Sequence, residues 1–130
     1  MRFMNTRTHG IADYLVGIIL ILAPYILGFA DGTAAQYVPQ AIGAAMLGAS
    51  LLTNYELGLM RVIPMPMHLM LDFASGALLA ASPWLFGFAD RRYLPHLILG
   101  LLEVGAALTT RTVPDIRTDL ESSSSNRRSF

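Results

Sequence analysis

Long apolar segments separated by short polar ones dominate this chain. Four of them cover residues 11–30, 37–53, 68–89 and 94–110. Each has roughly 17–22 residues, the length at which an α-helix crosses the hydrocarbon core of a bilayer. The segments are apolar around nearly their whole circumference, and a chain of 130 residues has no core large enough to bury four such helices. The pattern predicts an all-α fold, an integral membrane bundle of four transmembrane helices.

The second half of the chain repeats the first. At a shift of 59 residues, polar, glycine and proline positions of the first segment recur in the third: His9 and His68, Asp13 and Asp72, Gly17 and Gly76, Pro24 and Pro83, and the string Gly-Phe-Ala-Asp at 28–31 and 87–90. Self-similarity of this kind indicates repeated structural units. We therefore expect a tandem repeat of a two-helix unit, the first over residues 9–54 and the second over residues 68–110.

The other segments are predicted to lie outside the bilayer. They are the N-terminus (1–8), a linker (55–67) and a polar, serine-rich tail (111–130) that we expect to be disordered. Most of the arginines fall on the side that these segments share: Arg2, Arg7, Arg61, Arg111, Arg117, Arg127 and Arg128. Arg91 and Arg92 fall on the other side. The positive-inside rule then predicts a multi-pass protein of the cell membrane with cytoplasmic N- and C-termini, its units forming a parallel repeat.

Composition narrows the chemistry. Hydrophobic residues make up 54% of the chain and charged residues 14%, with nine basic residues, all arginine, balancing nine acidic ones. Without a net basic field, no nucleic-acid partner is expected. The absence of cysteine excludes disulfides, thiolate metal ligands and thiol redox chemistry. Because the chain has no nucleophile elbow and no phosphate-binding loop, we predict no catalytic residue and no cofactor.

One short string suggests a family. Ser82-Pro83-Trp84 stands near the end of the first helix of the second unit, and Asp72, Gly76 and Gly87-Phe88 accompany it. In these residues the chain resembles the SPW repeat family of bacterial membrane proteins, over both units. The first unit departs from the signature, with Ala23-Pro24-Tyr25 in place of the triplet. The resemblance implies the repeated two-helix topology and supplies no catalytic residue.

Four ionisable side chains follow helical spacing inside the apolar segments. His9 and Asp13, and likewise His68 and Asp72, lie four residues apart, and we expect the two aspartates to lie about one turn inside the cytoplasmic ends of their helices. Two interpretations remain open. Each carboxylate can bond its own turn or the histidine four residues before it. Alternatively, all four side chains meet near the pseudo-axis as an intramembrane polar cluster, where they can relay protons or bind a divalent ion. Because no established metal-binding spacing accompanies them, no bound metal is predicted.

Glu103 is a fifth candidate member of this polar cluster. It lies near the middle of the fourth segment, and its counterpart in the first unit is Met46. An unpaired charge at this depth is costly. Glu103 can therefore be a neutral or hydrogen-bonded group that holds helices together, or a group that carries a proton.

Two prolines near the ends of their segments predict a helix kink or a helix end. Pro24 and Pro83 each leave the carbonyl four residues earlier without an amide donor. The Ser82 hydroxyl can donate to such a carbonyl, whereas Ala23 cannot. Aromatic residues follow the prolines, and we expect three of them to anchor the helices at the membrane interface: Tyr25, Trp84 and Phe88.

These features favour a small multi-pass membrane protein with a structural or accessory role. The alternative is a proton- or ion-handling transporter or channel subunit that uses Asp13, Asp72 and Glu103. A membrane enzyme or a metal-binding protein fits less well. The expected partners are the lipid bilayer and either a second copy of the chain or another membrane protein, because small residues at 41, 45 and 49 permit close helix packing.

Overall fold

The computed structural model describes residues 2–112, which fold into four α-helices. They are α1 (Thr6–Ile26), α2 (Ala34–Leu52), α3 (Met65–Leu85) and α4 (Leu94–Thr109). Two isolated β-bridges accompany the helices, and this part of the chain contains no strand. The prediction of an all-α fold is confirmed here. The predicted disordered tail, apart from Arg111 and Thr112, lies outside the described residues.

The helix boundaries differ from those of the apolar segments. Both α1 and α3 begin before residues 11 and 68, the first residues of their segments. The starts are set by polar and proline residues that an apolar pattern does not reveal. Asn5 caps α1 by accepting a hydrogen bond from the Thr8 amide at 2.7 Å, and α3 follows Pro64. As a result, Asp13 and Asp72 lie about two turns inside their helices, and the prediction of one turn is wrong.

Helices α1 and α3 end in the same motif. Each ends two residues after its proline, and the next glycine, Gly28 or Gly87, has a positive φ of 77° or 74°. The Phe29 amide donates to the Pro24 carbonyl at 2.8 Å, as the amide of Phe88 does to that of Pro83. This six-to-one bond across a left-handed glycine is a Schellman cap. The repeated Gly-Phe string therefore encodes a helix end.

The cap folds its phenylalanine back into the bundle. Phe88 is 1% exposed, and Phe29 is also buried. The prediction that Phe88 anchors the helix at the membrane interface is therefore wrong. Tyr25 and Trp84 are exposed by 62% and 56%, which leaves them free to contact a membrane interface.

Ser82 forms a hydrogen bond with the backbone of its own helix, next to Pro83. Its hydroxyl donates to the Leu79 carbonyl oxygen at 2.7 Å. This is the carbonyl that Pro83 leaves without its amide donor. Alanine stands at the equivalent position, Ala23, so the first repeat makes no such bond.

Glycines bring the helices of each repeat together. Gly17 of α1 faces Gly43 of α2, and Gly76 of α3 faces Gly100 of α4. A Cβ on Gly43 would lie 2.6 Å from the Gly17 carbonyl oxygen, and one on Gly100 would lie 2.5 Å from that of Gly76. Helix α2 also packs on α3, whereas a cleft separates α1 from α4.

The two β-bridges occupy equivalent places in the two repeats. Ile63, in the linker before α3, pairs with Thr53 at the end of α2. Met4, just before α1, pairs with Thr110 at the end of α4, and the Arg2 guanidinium donates to the Thr110 carbonyl at 2.7 Å. The N-terminal segment, the linker and the end of α4 consequently lie at one end of the bundle.

Among residues 2–112, buried polar side chains are almost as many as buried apolar ones, whereas the interior of a water-soluble protein is mostly apolar. The interior holds polar and charged side chains: Thr6, His9, Asp13, Ser50, Thr53, His68, Asp72, Ser82, His96, Glu103 and Thr110. Many large apolar side chains of α1, α3 and α4 point outward. By length and mean hydropathy, α1 alone among the helices of residues 2–112 qualifies to cross a membrane: α2 and α3 do not, and α4 is apolar but has 16 residues. That all four helices cross a membrane therefore stays a prediction.

The glycine contacts give a first prediction. Replacing Gly100 by alanine forces a methyl group against the backbone of α3, which cannot yield as a side chain can. We expect Gly100→Ala to lower the free energy of unfolding by about 1–3 kcal/mol, measured by thermal unfolding in detergent micelles. Gly105→Ala is the matched control, since no atom lies within 4 Å of the added methyl. Equal stability of the two variants would contradict the close approach of α3 and α4.

Candidate functional site

Four buried side chains from α1 and α3 meet in the interior: His9, Asp13, His68 and Asp72, here called the His–Asp cluster. The shortest contacts join different repeats. His9 Nε2 lies 2.7 Å from Asp72 Oδ2, and His68 Nε2 lies 2.7 Å from Asp13 Oδ2. Within a repeat the contacts are longer: His9 Nε2 lies 3.1 Å from Asp13 Oδ2, and His68 Nε2 lies 3.0 Å from Asp72 Oδ2. The four ligand-type atoms thus form a closed ring in which nitrogen and oxygen alternate.

The duplication explains why the ring closes. Each repeat places a histidine and an aspartate four residues apart on one face of its first helix, and these two faces meet. Both interpretations of the sequence therefore describe contacts that exist, since the pairs within a helix and the pairs between helices share the same atoms. The imidazole rings stand almost perpendicular, at 81°, so their Nε2 atoms approach the ring from different directions.

Two threonines orient the histidines. Thr53 Oγ1 lies 2.7 Å from Nδ1 of His68, and Thr110 Oγ1 lies 2.7 Å from Nδ1 of His9. Each hydroxyl donates to the carbonyl four residues earlier, at 2.5 and 2.6 Å. Its oxygen then accepts the hydrogen from Nδ1, which turns Nε2 toward the carboxylates. Because Nδ1 donates to the threonine, the short contacts from Nε2 to the carboxylates are hydrogen bonds of the imidazolium form, in which both ring nitrogens donate; the hydrogen positions follow from this network.

The sequence pattern does not identify these threonines as partners of the histidines. They stand at equivalent ends of α2 and α4, as the last polar residues of two apolar segments. The repeat alignment does contain the signal, because Thr53 and Thr110 fall 57 residues apart, the shift that relates the second helices. A hydroxyl at the end of an apolar segment, however, is also an ordinary helix terminus.

Tyr55 covers the cluster from the side of the linker. Its ring packs on His68 with centroids 6.0 Å apart and occupies the space that a side chain at Gly10 would need. Burial raises the pKa of the Tyr55 hydroxyl above its usual range. The Ser50 hydroxyl approaches Asp13 Oδ2 at 3.5 Å. The cluster is thus enclosed by the linker and the end of α2.

Glu103 is buried, at 5% exposure, but it is not a bonded member of the cluster. Its backbone and Cβ pack against Gly76, and neither carboxylate oxygen has a hydrogen-bond partner among residues 2–112. The hydrogen bond required by the interpretation of Glu103 as a helix-joining group is therefore missing here. Glu103 instead lines the cleft between α1 and α4, about 450 Å³ in volume, whose wall also includes Asp13.

His96, the third histidine, lies apart from the cluster. Its Nε2 donates to the Ala35 carbonyl at 2.8 Å. Its ring stands between those of Phe29 and Phe88, with centroids 5.3 and 4.8 Å away. His96 therefore joins the two Schellman caps at the opposite end of the bundle.

Comparison with known proteins yields one match. The family model of the SPW repeat domain matches residues 7–110, a range that includes both repeats, the His–Asp cluster and Ser82-Pro83-Trp84. This confirms the resemblance inferred from the sequence. No curated protein and no solved structure matches the chain.

The unpartnered state of Glu103 gives a second prediction. Leucine has a similar volume and removes a buried group without a hydrogen bond, so we expect Glu103→Leu to raise the free energy of unfolding by about 1–3 kcal/mol. The measurement is denaturant unfolding in detergent micelles. Glu103→Gln is the control and should give no comparable gain, because the amide also remains unpaired. A leucine variant less stable than the wild type would mean that Glu103 has a partner.

Proposed function

Because the chain belongs to the SPW repeat family, we propose that it is a small multi-pass membrane protein with a structural or accessory role. In this proposal all four helices cross the bilayer, and the His–Asp cluster joins the two repeats into one unit. The observation that carries the proposal is an ionisable cluster buried in the bundle while many large apolar side chains lie exposed on its outer surface.

The outer surface supports the membrane assignment. Exposed apolar side chains run along three of the helices: Ile11, Leu15, Ile18, Leu22, Met70, Phe73, Leu78, Ile98, Leu101, Leu102 and Leu108. A soluble monomer rarely exposes so continuous an apolar surface, whereas lipid favours it. Charged groups in lipid normally face the bundle interior, as those of the cluster do.

The arrangement of the chain ends supports the proposed orientation. The N-terminal segment and the linker lie at the end of the bundle that holds Arg2, Arg7 and Arg61, while Arg91 and Arg92 lie beyond the Schellman caps. By the positive-inside rule the first end faces the cytoplasm. Both termini of the chain are then cytoplasmic.

Cysteine labelling tests this orientation, and the chain offers a background free of cysteine. Single cysteines within residues 31–36 or 90–93 should react with a membrane-impermeant thiol reagent added outside cells. A cysteine at Met60, exposed in the linker, is the matched control and should react only after the membrane is opened. Labelling of Met60→Cys from outside would contradict the four-span orientation.

The joining role of the cluster makes a separate prediction. Asp72→Ala leaves two buried histidines with one carboxylate, and breaking a buried pair in this way typically costs about 3–5 kcal/mol. We expect a loss of this size in unfolding experiments on the purified chain. The surface variant Asp90→Ala should stay near the wild type. A small loss for Asp72→Ala would leave the repeats held by packing alone.

A second candidate function, proton or ion handling, is favoured by Glu103. A buried carboxylate without a hydrogen bond, next to a cleft that also reaches Asp13, resembles a group on an ion path. If the chain conducts, Glu103→Gln should fold normally and abolish flux in a liposome assay. Equal flux in empty liposomes and in those with wild-type protein would eliminate this candidate.

A further inference from the structure

We propose that the His–Asp cluster binds one divalent transition-metal ion, with Zn²⁺ the best fit. The ligands are Nε2 of His9 and of His68 and one carboxylate oxygen each of Asp13 and Asp72. The site lies on the axis that relates the repeats, so the ion would contact both repeats equally. The inference rests on the geometry of the cluster and holds for any role of the chain in the membrane.

The ligand set and its spacing suit a tetrahedral ion. Zinc binds histidine nitrogen and carboxylate oxygen, and four-coordinate structural sites are closed to solvent. With bonds of about 2.0–2.1 Å, neighbouring ligand atoms of a tetrahedral ion lie about 3.3 Å apart. The four edges of the N–O ring measure 2.7, 3.0, 2.7 and 3.1 Å. These edges are a few tenths of an ångström shorter than that, and all four ligand atoms lie within 4.8 Å of one another, so a small opening of the ring lets one ion contact all four.

The surroundings of the ring are those of a metal site. A metal-binding histidine usually donates its other ring hydrogen to an oxygen, which fixes the tautomer. Thr53 and Thr110 supply this oxygen at 2.7 Å from each Nδ1 atom. A metal ion that enters the ring displaces the hydrogen on each Nε2 to solvent, and the lone pair of the resulting neutral imidazole points into the ring. Each threonine is itself fixed by its hydrogen bond to a backbone carbonyl, so the orientation of both imidazole rings is fixed as well.

Charge and access agree with this assignment. Two carboxylates balance the charge of one divalent cation, so the filled site is neutral, as an apolar interior requires. The cleft between α1 and α4 reaches the cluster at Asp13. Glu103, nine-tenths buried and without a hydrogen bond in the described part of the chain, stands on the wall of that cleft.

Metal titration of the full chain tests the proposal. The protein, purified in detergent without a histidine tag, is stripped with a chelator and titrated with Zn²⁺ alone. We expect one zinc ion per chain by elemental analysis, and the absorption spectrum of a tetrahedral ion when Co²⁺ replaces Zn²⁺. The double variant Asp13→Asn/Asp72→Asn should bind more than about 100-fold more weakly. His96→Gln is the matched control and should bind as the wild type does.

A further variant keeps the test decisive if the double variant fails to fold. Thr53→Val preserves side-chain volume and removes the hydroxyl that accepts from Nδ1 and donates to the Ala49 carbonyl, so zinc affinity should fall by about 10–100-fold while the helical content stays unchanged. Less than one zinc ion per wild-type chain at saturation, or equal affinity in wild type and Thr53→Val, would overturn the proposal. Neither result would affect the labelling or the Asp72→Ala experiment, which are performed without added metal.

Discussion

The hydrogen bonds that join His9 to Asp72 and His68 to Asp13 are the constraint on which the rest of the structure depends. These side chains are buried in the bundle, where each needs a partner of opposite character. Each histidine finds its closest carboxylate in the other repeat. The two first helices must therefore meet at one depth and in one register, and the second helices pack around that contact through paired glycines.

Duplication of one unit makes this arrangement self-complementary. A single repeat presents one histidine and one aspartate, and two copies facing each other satisfy both pairs. The same logic extends to Thr53 and Thr110, which orient the histidines, and to the bridges at Met4 and Ile63 that close the bundle at one end. The main break in the symmetry is Glu103, which replaces Met46 where α4 stands away from α1.

The repeat could be predicted from the sequence, because identical residues recur at a shift of 59 residues in the first helices and of 57 in the second. So could the all-α fold and the family, whose signature is contiguous in Ser82-Pro83-Trp84. The meeting of the four cluster residues was one of two open interpretations, since spacing along one helix does not determine how two helices face each other. Phe88 was misplaced because an aromatic residue near a segment end suggests an interface, whereas a left-handed Gly87 turns it inward. The cleft beside Glu103 arises from tertiary packing and leaves no local pattern.

A double-mutant cycle between His9 and Asp72 tests the central claim most directly. The free energy of unfolding is measured for the wild type, His9→Gln, Asp72→Asn and the combined variant in the same detergent. If the two side chains form a desolvated pair across the repeats, their coupling energy should reach at least about 1.5 kcal/mol. Losses that add within about 0.5 kcal/mol would contradict the account, because independent side chains cannot hold the two repeats together.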